Sequence, residues 1–303
     1  MSQPKLQFWV LSRNRPVYLR QTLRSAVAQI QPWVQIIVSD NSDSDDAEHM
    51  VCSEFPEVTL VRRKPVLPAL EHFKTILEQA CADYITLFHD DDVLLDGYFT
   101  GLAQLLDNQP SAAAAVCDAK IIRGETFTED LVVGASSAVR IFNTPSELLL
   151  PYLQFQRLGP APFPAYMYRL EKIRGLSLNP EHGGKYADVS FLAEVVKRGS
   201  IVMHVAPLVA YRIHSANDNV SEHIGSRLRL LRYILRNTPW HPKSRPIQHF
   251  RFRYWSRWYR QQSNAGKHLR RVTVVRKFLV LFGLRLVFTK PGFWLRFFNR
   301  ARK

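Results

Sequence analysis

The sequence predicts an α/β fold: a mainly parallel sheet flanked by helices, followed by a basic, mostly helical C-terminal region. Three observations point there. Apolar runs of strand length alternate with segments of helical periodicity. The strand-like runs are apolar throughout, as in a sheet whose two faces are both covered by helices. Charge is divided unevenly, with no Asp or Glu after Glu222.

The elements follow in order. "LQFWVLS" (Leu6–Ser12) is a buried strand. Pro16 suits a first helical turn, and Leu19, Leu23 and Val27 recur every four residues, so Pro16–Gln29 is a helix. "VQIIVSD" (Val34–Asp40) and "VTLVR" (Val58–Arg62) are the second and third strands, with the Asx-rich stretch "SDNSDSDD" between them read as a polar loop. Leu70, Phe73, Leu77 and Ala80 mark a helix, "YITLF" is the fourth strand, Phe99, Leu102, Leu105 and Leu106 mark another helix, and "AAAAVC" (Ala112–Cys117) is the fifth strand. The region from about 120 to 222 is less regular. It holds the Pro-rich, then extended "GPAPFPAYMYR", a Gly183-Gly184 pair, and a helix from about Asp188 with Val189, Leu192, Val195 and Val196 on one side. The strand-like "IVMHVAPLVAYRIHSANDN" follows.

Composition narrows the class. With 303 residues, 46% of them hydrophobic, the chain can bury a substantial core and is not a disordered one. Cys52, Cys81 and Cys117 form no CxxC pair, so neither a disulfide framework nor a cysteine zinc site is predicted, and a reduced, cytoplasmic setting fits. The N-terminus lacks the apolar stretch of a signal peptide. From His223 onward there are 21 Lys and Arg and no acid, while the first 222 residues hold 20 basic and 26 acidic residues. This sets the expected boundary: a sheet domain over 1–222, in halves of about 1–118 and 119–222, and a basic amphipathic helical region over 223–303.

In open α/β sheets, ligands bind beyond the carboxyl ends of the strands. Here those ends are unusually polar: Ser12-Arg13-Asn14-Arg15, Ser39-Asp40-Asn41-Ser42-Asp43, and His89-Asp90-Asp91-Asp92. One Asp is enough to cap the following helix; three in a row after an apolar strand call for a cation. Residues i and i+2 of an extended segment point the same way, so Asp90 and Asp92 share a face. Hard divalent cations such as Mg²⁺ and Mn²⁺ take one or two protein carboxylates and complete their shell with water or phosphate. The glycine and distal Glu of an EF-hand loop are missing.

"VLSRNRPVYLRQTLRSAVAQ", "IIVSDNSDSDD", "ADYITLFHDDDVLLDGYF" and "YADVSFLAEVVKRG…PLVAYRIHSAN", in that order, resemble the family 2 nucleotide-sugar glycosyltransferases with a GT-A fold, over roughly residues 5–222. The resemblance implies an inverting transfer of sugar from a nucleotide diphosphate to an acceptor hydroxyl. It also implies residue roles. Asp40 reads the nucleotide base, and Ser12 and Arg15 line the nucleotide. Asp90 and Asp92 form the DxD-type pair, with Asp92 on the metal and Asp90 on ribose or metal, and Asp91 between them joins the nucleotide-sugar contacts. Asp188 is the catalytic base, and His214 helps hold the diphosphate or metal. Many members carry a Glu-Asp pair where this chain has Ala187-Asp188. Plainer readings stand beside these roles: a turn residue for Asp40, a helix N-cap for Asp188, a structural loop histidine for His214.

In the tail, Ile224, Leu228, Leu231 and Leu235 form a helical face flanked by arginines, and "HFRFRYWSRWYRQQ" interleaves arginine with aromatics. "VTVVRKFLVLFGLRLVF" (Val272–Phe288) is the most hydrophobic stretch, but Arg276, Lys277 and Arg285 keep it below the roughly 20 apolar residues of a bilayer span. Aromatics with Lys and Arg and no acids describe a segment lying on an anionic membrane surface. The expectation is a peripheral enzyme on the inner face of a bacterial cell membrane, acting on a glycan or lipid-linked acceptor in surface polysaccharide assembly. Packing of the tail on the sheet domain or a second subunit, and nucleic-acid binding, are the lesser readings. Alternatives for the whole are nucleotidyl transfer onto a sugar phosphate, though no glycine-rich phosphate loop follows the first strand, or non-catalytic binding of a nucleotide sugar or nucleic acid.

Overall fold

The computed structural model describes residues 4–134, 139–154, 160–213 and 223–264. Strands β1 (Leu6–Ser12), β2 (Val34–Asp40), β3 (Thr59–Arg62) and β4 (Tyr84–His89) are connected through helices α1 (Pro16–Val27), α2 (Asp46–Glu54) and α3 (Ala69–Gln79). They lie in the order β3-β2-β1-β4, all parallel. Leu6 stands opposite both Val34 and Tyr84, and Ser12 opposite Asp40, so the strands end level and their three polar loops leave on one rim.

The second half continues through β5 (Val93–Leu94), α4 (Tyr98–Asn108), β6 (Ala112–Arg123), β7 (Thr126–Leu131), β8 (Arg140–Phe142), α5 (Pro145–Gln154), β9 (Tyr166–Arg169), α6 (Leu170–Ile173), α7 (Pro180–Gly183), α8 (Ala187–Arg198) and β10 (Ser200–Ile213). Here the sheet is mixed. β9 runs antiparallel between β4 and β6, β10 runs parallel to β6, and β5 runs antiparallel to β10. The parallel half matches the sequence reading. β9 departs from it because the chain returns to the sheet from a connection spanning more than forty residues rather than through a crossover helix.

Most of the predicted elements are found with ends shifted by a residue or two. α1 stops at Val27 rather than Gln29, and β3 begins at Thr59. Two expectations are corrected. The fifth strand runs to Arg123, because beyond Cys117 it pairs with β10 and β7 rather than ending in a loop. The Asx-rich stretch leads into α2, which buries Ala47, Met50 and Val51 and carries Asp46 and Glu48 in its first turn, where acids suit the helix dipole.

The main core runs along both faces of the sheet. Phe8 on β1 is fully buried and meets Phe88 on β4 at 5.0 Å and Phe99 on α4 at 5.2 Å between ring centroids. Burial of one such ring stabilises the fold by about 2–3 kcal/mol. A second core joins α5 and α8 to two helices of the basic region, α9 (Ile224–Asn237) and α10 (Arg245–Asn264), through Leu149, Leu153, Val189, Leu230, Ile234, Ile247 and Phe250. The apolar face of α9 is therefore turned onto the sheet domain. Val272–Phe288 and the terminal aromatic segment lie outside the described residues. Among the described residues no helix is long and apolar enough to cross a membrane.

α9 presses on the Gly183-Gly184 pair. Gly184 has φ +59°, and a Cβ there would stand 2.2 Å from Ser226 Oγ and 3.1 Å from Ser226 Cα. Gly184→Ala should cost about 1–3 kcal/mol in urea unfolding, from backbone strain and overpacking together. An unchanged midpoint would show that α9 does not sit against this turn.

Candidate active site

The three rim loops are tied to one another by backbone and charge. Asn14 takes a left-handed conformation (φ 56°) and turns its N–H onto Ser42 Oγ at 2.8 Å, while its side chain exchanges hydrogen bonds with Asp43. The Arg13 N–H donates to Asp90 Oδ2 at 2.9 Å. The Arg15 guanidinium lies 2.6 Å from Asp91 Oδ2 and 3.3 Å from Asp90 Oδ1. Thus the first loop holds both the second and the fourth-strand loops, and Ser12, Arg15, Asp40 and Asp90–Asp92 come together as the sequence predicts.

Asp40, at the end of β2, is fully buried. Its Oδ1 accepts the Ser42 N–H at 3.0 Å and the Ser42 hydroxyl, and its Oδ2 accepts from Arg62. Arg62 also reaches Asp45 and Glu48. These partners fix the orientation of the carboxylate at the end of β2. Arg62 escaped the sequence reading, although it stands directly opposite Asp40 across the β2–β3 pair. Ser12 is also buried, and its Oγ has no hydrogen-bond partner.

The turn Asp90–Asp92 is clasped from behind by Arg212 and Thr22. Arg212 is 1% exposed, an unusual place for a guanidinium. Its N–H donates to Asp92 Oδ1 at 2.8 Å, its Nε to the Asp91 carbonyl at 2.9 Å and its Nη2 to Gln21 Oε1 at 2.6 Å. The Tyr18 ring lies 4.7 Å beneath it. The Thr22 hydroxyl bridges the carbonyls of Asp90 and Asp92. Desolvation pushes the Asp90 carboxyl up to about 6, against the downward pull of Arg15 and the Arg13 N–H. Burial also raises Asp92, which His89 and the Arg212 N–H counter only in part. Loss of water opposes a charge on His89, but the carboxylates of Asp92, Asp91 and Asp90 outweigh it and the net direction is up.

These residues suit a divalent cation. Asp92 is 0% exposed, and its Oδ2 is buried with no hydrogen-bond partner. Ligand atoms of His89, Asp91 and Asp92 all lie within 4.8 Å of one another. Asp91 and Asp92 therefore sit where a cation could be held, and His89 joins them. The sequence reading gave the histidine role to His214, which lies outside the described residues.

Asp188 lies in α8, and the charge of His89 acts on its carboxyl. The N-cap position belongs to Tyr186, so Asp188 is not the cap and stands inside the first turn. Burial raises its pKa, against the Val189 N–H and the charges of Arg227 and His89. Burial raises the phenols of Tyr166 and Tyr168, and the charge of Asp188 adds a smaller push in the same direction. Arg227, from α9, is almost fully buried, with its guanidinium 3.5 Å from the Tyr186 ring and a hydrogen bond to the Tyr152 hydroxyl. The basic segment thus sets a buried guanidinium against Tyr186, where its charge acts on Asp188, through a residue the sequence reading had placed only on a helix flank.

The raised Asp90 pKa carries a stability consequence. In the folded state the carboxyl holds its proton to about pH 6, against 3.8 unperturbed. The native state then binds more protons between those values, so this group's contribution to stability falls as pH rises through them. The full difference is about 3 kcal/mol. In metal-free protein, Asp90→Asn should gain stability relative to wild type by up to that amount between about pH 3.5 and 7, read from urea midpoints. A pH-independent difference would show that Asp90 carries no such strain.

The family described as Glycosyl transferase family 2 matches over residues 9–169. No curated protein matches the chain. Among solved structures, TarS 1-349 of S. aureus is similar at TM-score 0.60 and 15% identity, over 83% of this chain and 72% of that one. The same protein in complex with UDP-GlcNAc is similar at TM-score 0.61 and 14% identity, over 83% and 73%. Its complex with UDP gives TM-score 0.57 and 12% identity, over 92% and 88%. At such identities the likeness is one of fold, and that fold is the GT-A arrangement expected. The family match spans more than half of the chain and contains every rim loop: the protein belongs to glycosyl transferase family 2.

Proposed function

We propose that the chain is an inverting, metal-assisted glycosyltransferase. It moves a sugar from a nucleotide-diphosphate donor to a hydroxyl of a glycan or lipid-linked acceptor, in the assembly of a bacterial surface polysaccharide. The observation that carries this reading is the acid turn Asp90–Asp92 held buried at the end of β4, with the charge of the adjoining His89 acting on Asp188.

In the proposed reaction Asp188 accepts the proton of the acceptor hydroxyl as that oxygen forms its bond to the anomeric carbon. The bond from that carbon to the diphosphate oxygen breaks on the opposite face, and the electron pair leaves with the nucleoside diphosphate. Burial raises the pKa of Asp188, and a carboxylate with a raised pKa is a stronger base. Asp40 and Ser12 receive the nucleoside, and Arg15 meets the diphosphate while balancing Asp90 and Asp91. Asp91 and Asp92, with Asp90 behind them, would hold Mg²⁺ or Mn²⁺. When bound, such an ion supplies Lewis-acid stabilisation of charge on the departing diphosphate.

UDP and UDP-GlcNAc are the ligands named for TarS, so uridine diphosphate sugars are the first donors to test. A peripheral site on the inner face of the membrane is supported by the excess of basic residues after Glu222. With the apolar face of α9 turned inward, an anionic surface is met by the basic faces of 223–264 and by the residues beyond.

Asp188→Asn should lower kcat by at least about a hundredfold while donor binding, followed by thermal shift, persists. For wild type, kcat/KM should fall with decreasing pH through a limb lying above the ordinary aspartate range, because the base must be unprotonated and burial raises its pKa. Near-normal turnover by the Asn variant would place the base elsewhere. The anomeric configuration of the earliest product, read by NMR, tests inversion directly.

A further inference from the structure

We propose that His89 is a nitrogen ligand of the cation site and biases it toward first-row transition ions such as Mn²⁺ over Mg²⁺. The inference rests on the metal-assisted reading above and adds to it a ligand and a selectivity.

Three observations bear on it. His89 is the last residue of β4, so the strand itself aims its ring onto the rim beside the acid turn. Its Nδ1 lies 3.6 Å from Asp92 Oδ2, the buried oxygen that has no hydrogen-bond partner. Two ligands on adjacent corners of an octahedron, each about 2.1 Å from the ion, stand about 3 Å apart. A movement of about half an ångström therefore brings both atoms onto one ion, and 3.6 Å is too long for the pair to satisfy each other by a hydrogen bond. The ring also lies close to parallel with the Phe163 ring, at 20° and 6.2 Å between centroids, which limits its rotation away from the turn.

The chemistry of the donor set gives the selectivity. Asp91 and Asp92 offer oxygens, which suit Mg²⁺ and Mn²⁺ alike. Mg²⁺ prefers an all-oxygen octahedron and gives up water reluctantly. An imidazole in place of one water favours the transition ion. A third carboxylate, at position 89, would give no such bias.

The test uses the full chain with Mn²⁺, alone and with UDP, and reads electron spin echo modulation from a nitrogen bound to the manganese. Free Mn²⁺ is followed by its solution EPR signal, and Mg²⁺ is used as competitor. Wild type should show imidazole modulation. His89→Gln, a partly exposed position where the fold is checked by its melting curve, should lose the modulation. That variant should also bind Mn²⁺ on the order of tenfold more weakly, while Mg²⁺ affinity changes little. Asp92→Asn should lose both ions. Modulation that survives in His89→Gln but vanishes in His214→Gln would overturn the assignment and leave metal assistance standing. Asp92-dependent Mn²⁺ binding without any nitrogen modulation would do the same. Failure of wild type to bind Mn²⁺ with or without UDP would overturn this inference and the metal-assisted reading together.

Discussion

The buried guanidinium of Arg212 is the constraint on which the site depends. Three consecutive carboxylates at a strand end repel one another, and two unit charges about 4 Å apart cost about 4 kcal/mol at an effective dielectric of 20. A chain left alone would splay them into solvent. Arg212 prevents this by binding the turn through its backbone: it takes the Asp91 carbonyl with Nε and gives its own N–H to Asp92 Oδ1. Thr22 closes the turn from α1. The carboxylate edges are left facing the rim, where Arg15 meets Asp90 and Asp91. One buried oxygen, Asp92 Oδ2, is left without a hydrogen bond, which is costly to maintain unless a ligand uses it. The raised pKa values of Asp90 and Asp92 record the same stored cost.

A second constraint links the two electrostatic halves of the chain. The acidic sheet domain and the basic helices meet in a shared core, and Arg227 of α9 enters it against Tyr186, two residues before Asp188. The charge asymmetry therefore has an interior use as well as a surface one. Burial raises the Asp188 pKa, and the charge of Arg227 opposes that rise.

Much of this was legible in the sequence because strands advertise their ends. Ser12, Asp40 and His89 close runs of apolar residues, and a parallel sheet aligns such ends on one rim. Asp188 was legible only through the ordered resemblance, since an aspartate near a helix start has a plainer use as a cap. What the sequence hid were the partners at long range. Arg212 binds a residue 120 positions away, and nothing in "YRIH" announces that its arginine turns inward. His89 stands beside the aspartates in plain view, whereas the sequence reading gave the histidine role to His214, which lies outside the described residues. α2 was hidden by its polar first turn, although Ala47, Met50 and Val51 carried a helical spacing. The extended end of "GPAPFPAYMYR" is β9, but its antiparallel place between β4 and β6 was hidden, because a four-residue strand in a Pro-rich region carries no signal of its partners.

The central claim is that the clasped acid turn becomes a diphosphate site only when a cation neutralises it. Calorimetric titration of UDP, GDP, CDP and dTDP into the protein, with Mn²⁺ or with a chelator, tests this most directly. The account predicts that at least one nucleotide binds with Mn²⁺, that chelation abolishes the heat, and that Asp92→Ala abolishes it too. Binding of equal strength in chelator, or no binding of any of the four to well-folded protein, would contradict it.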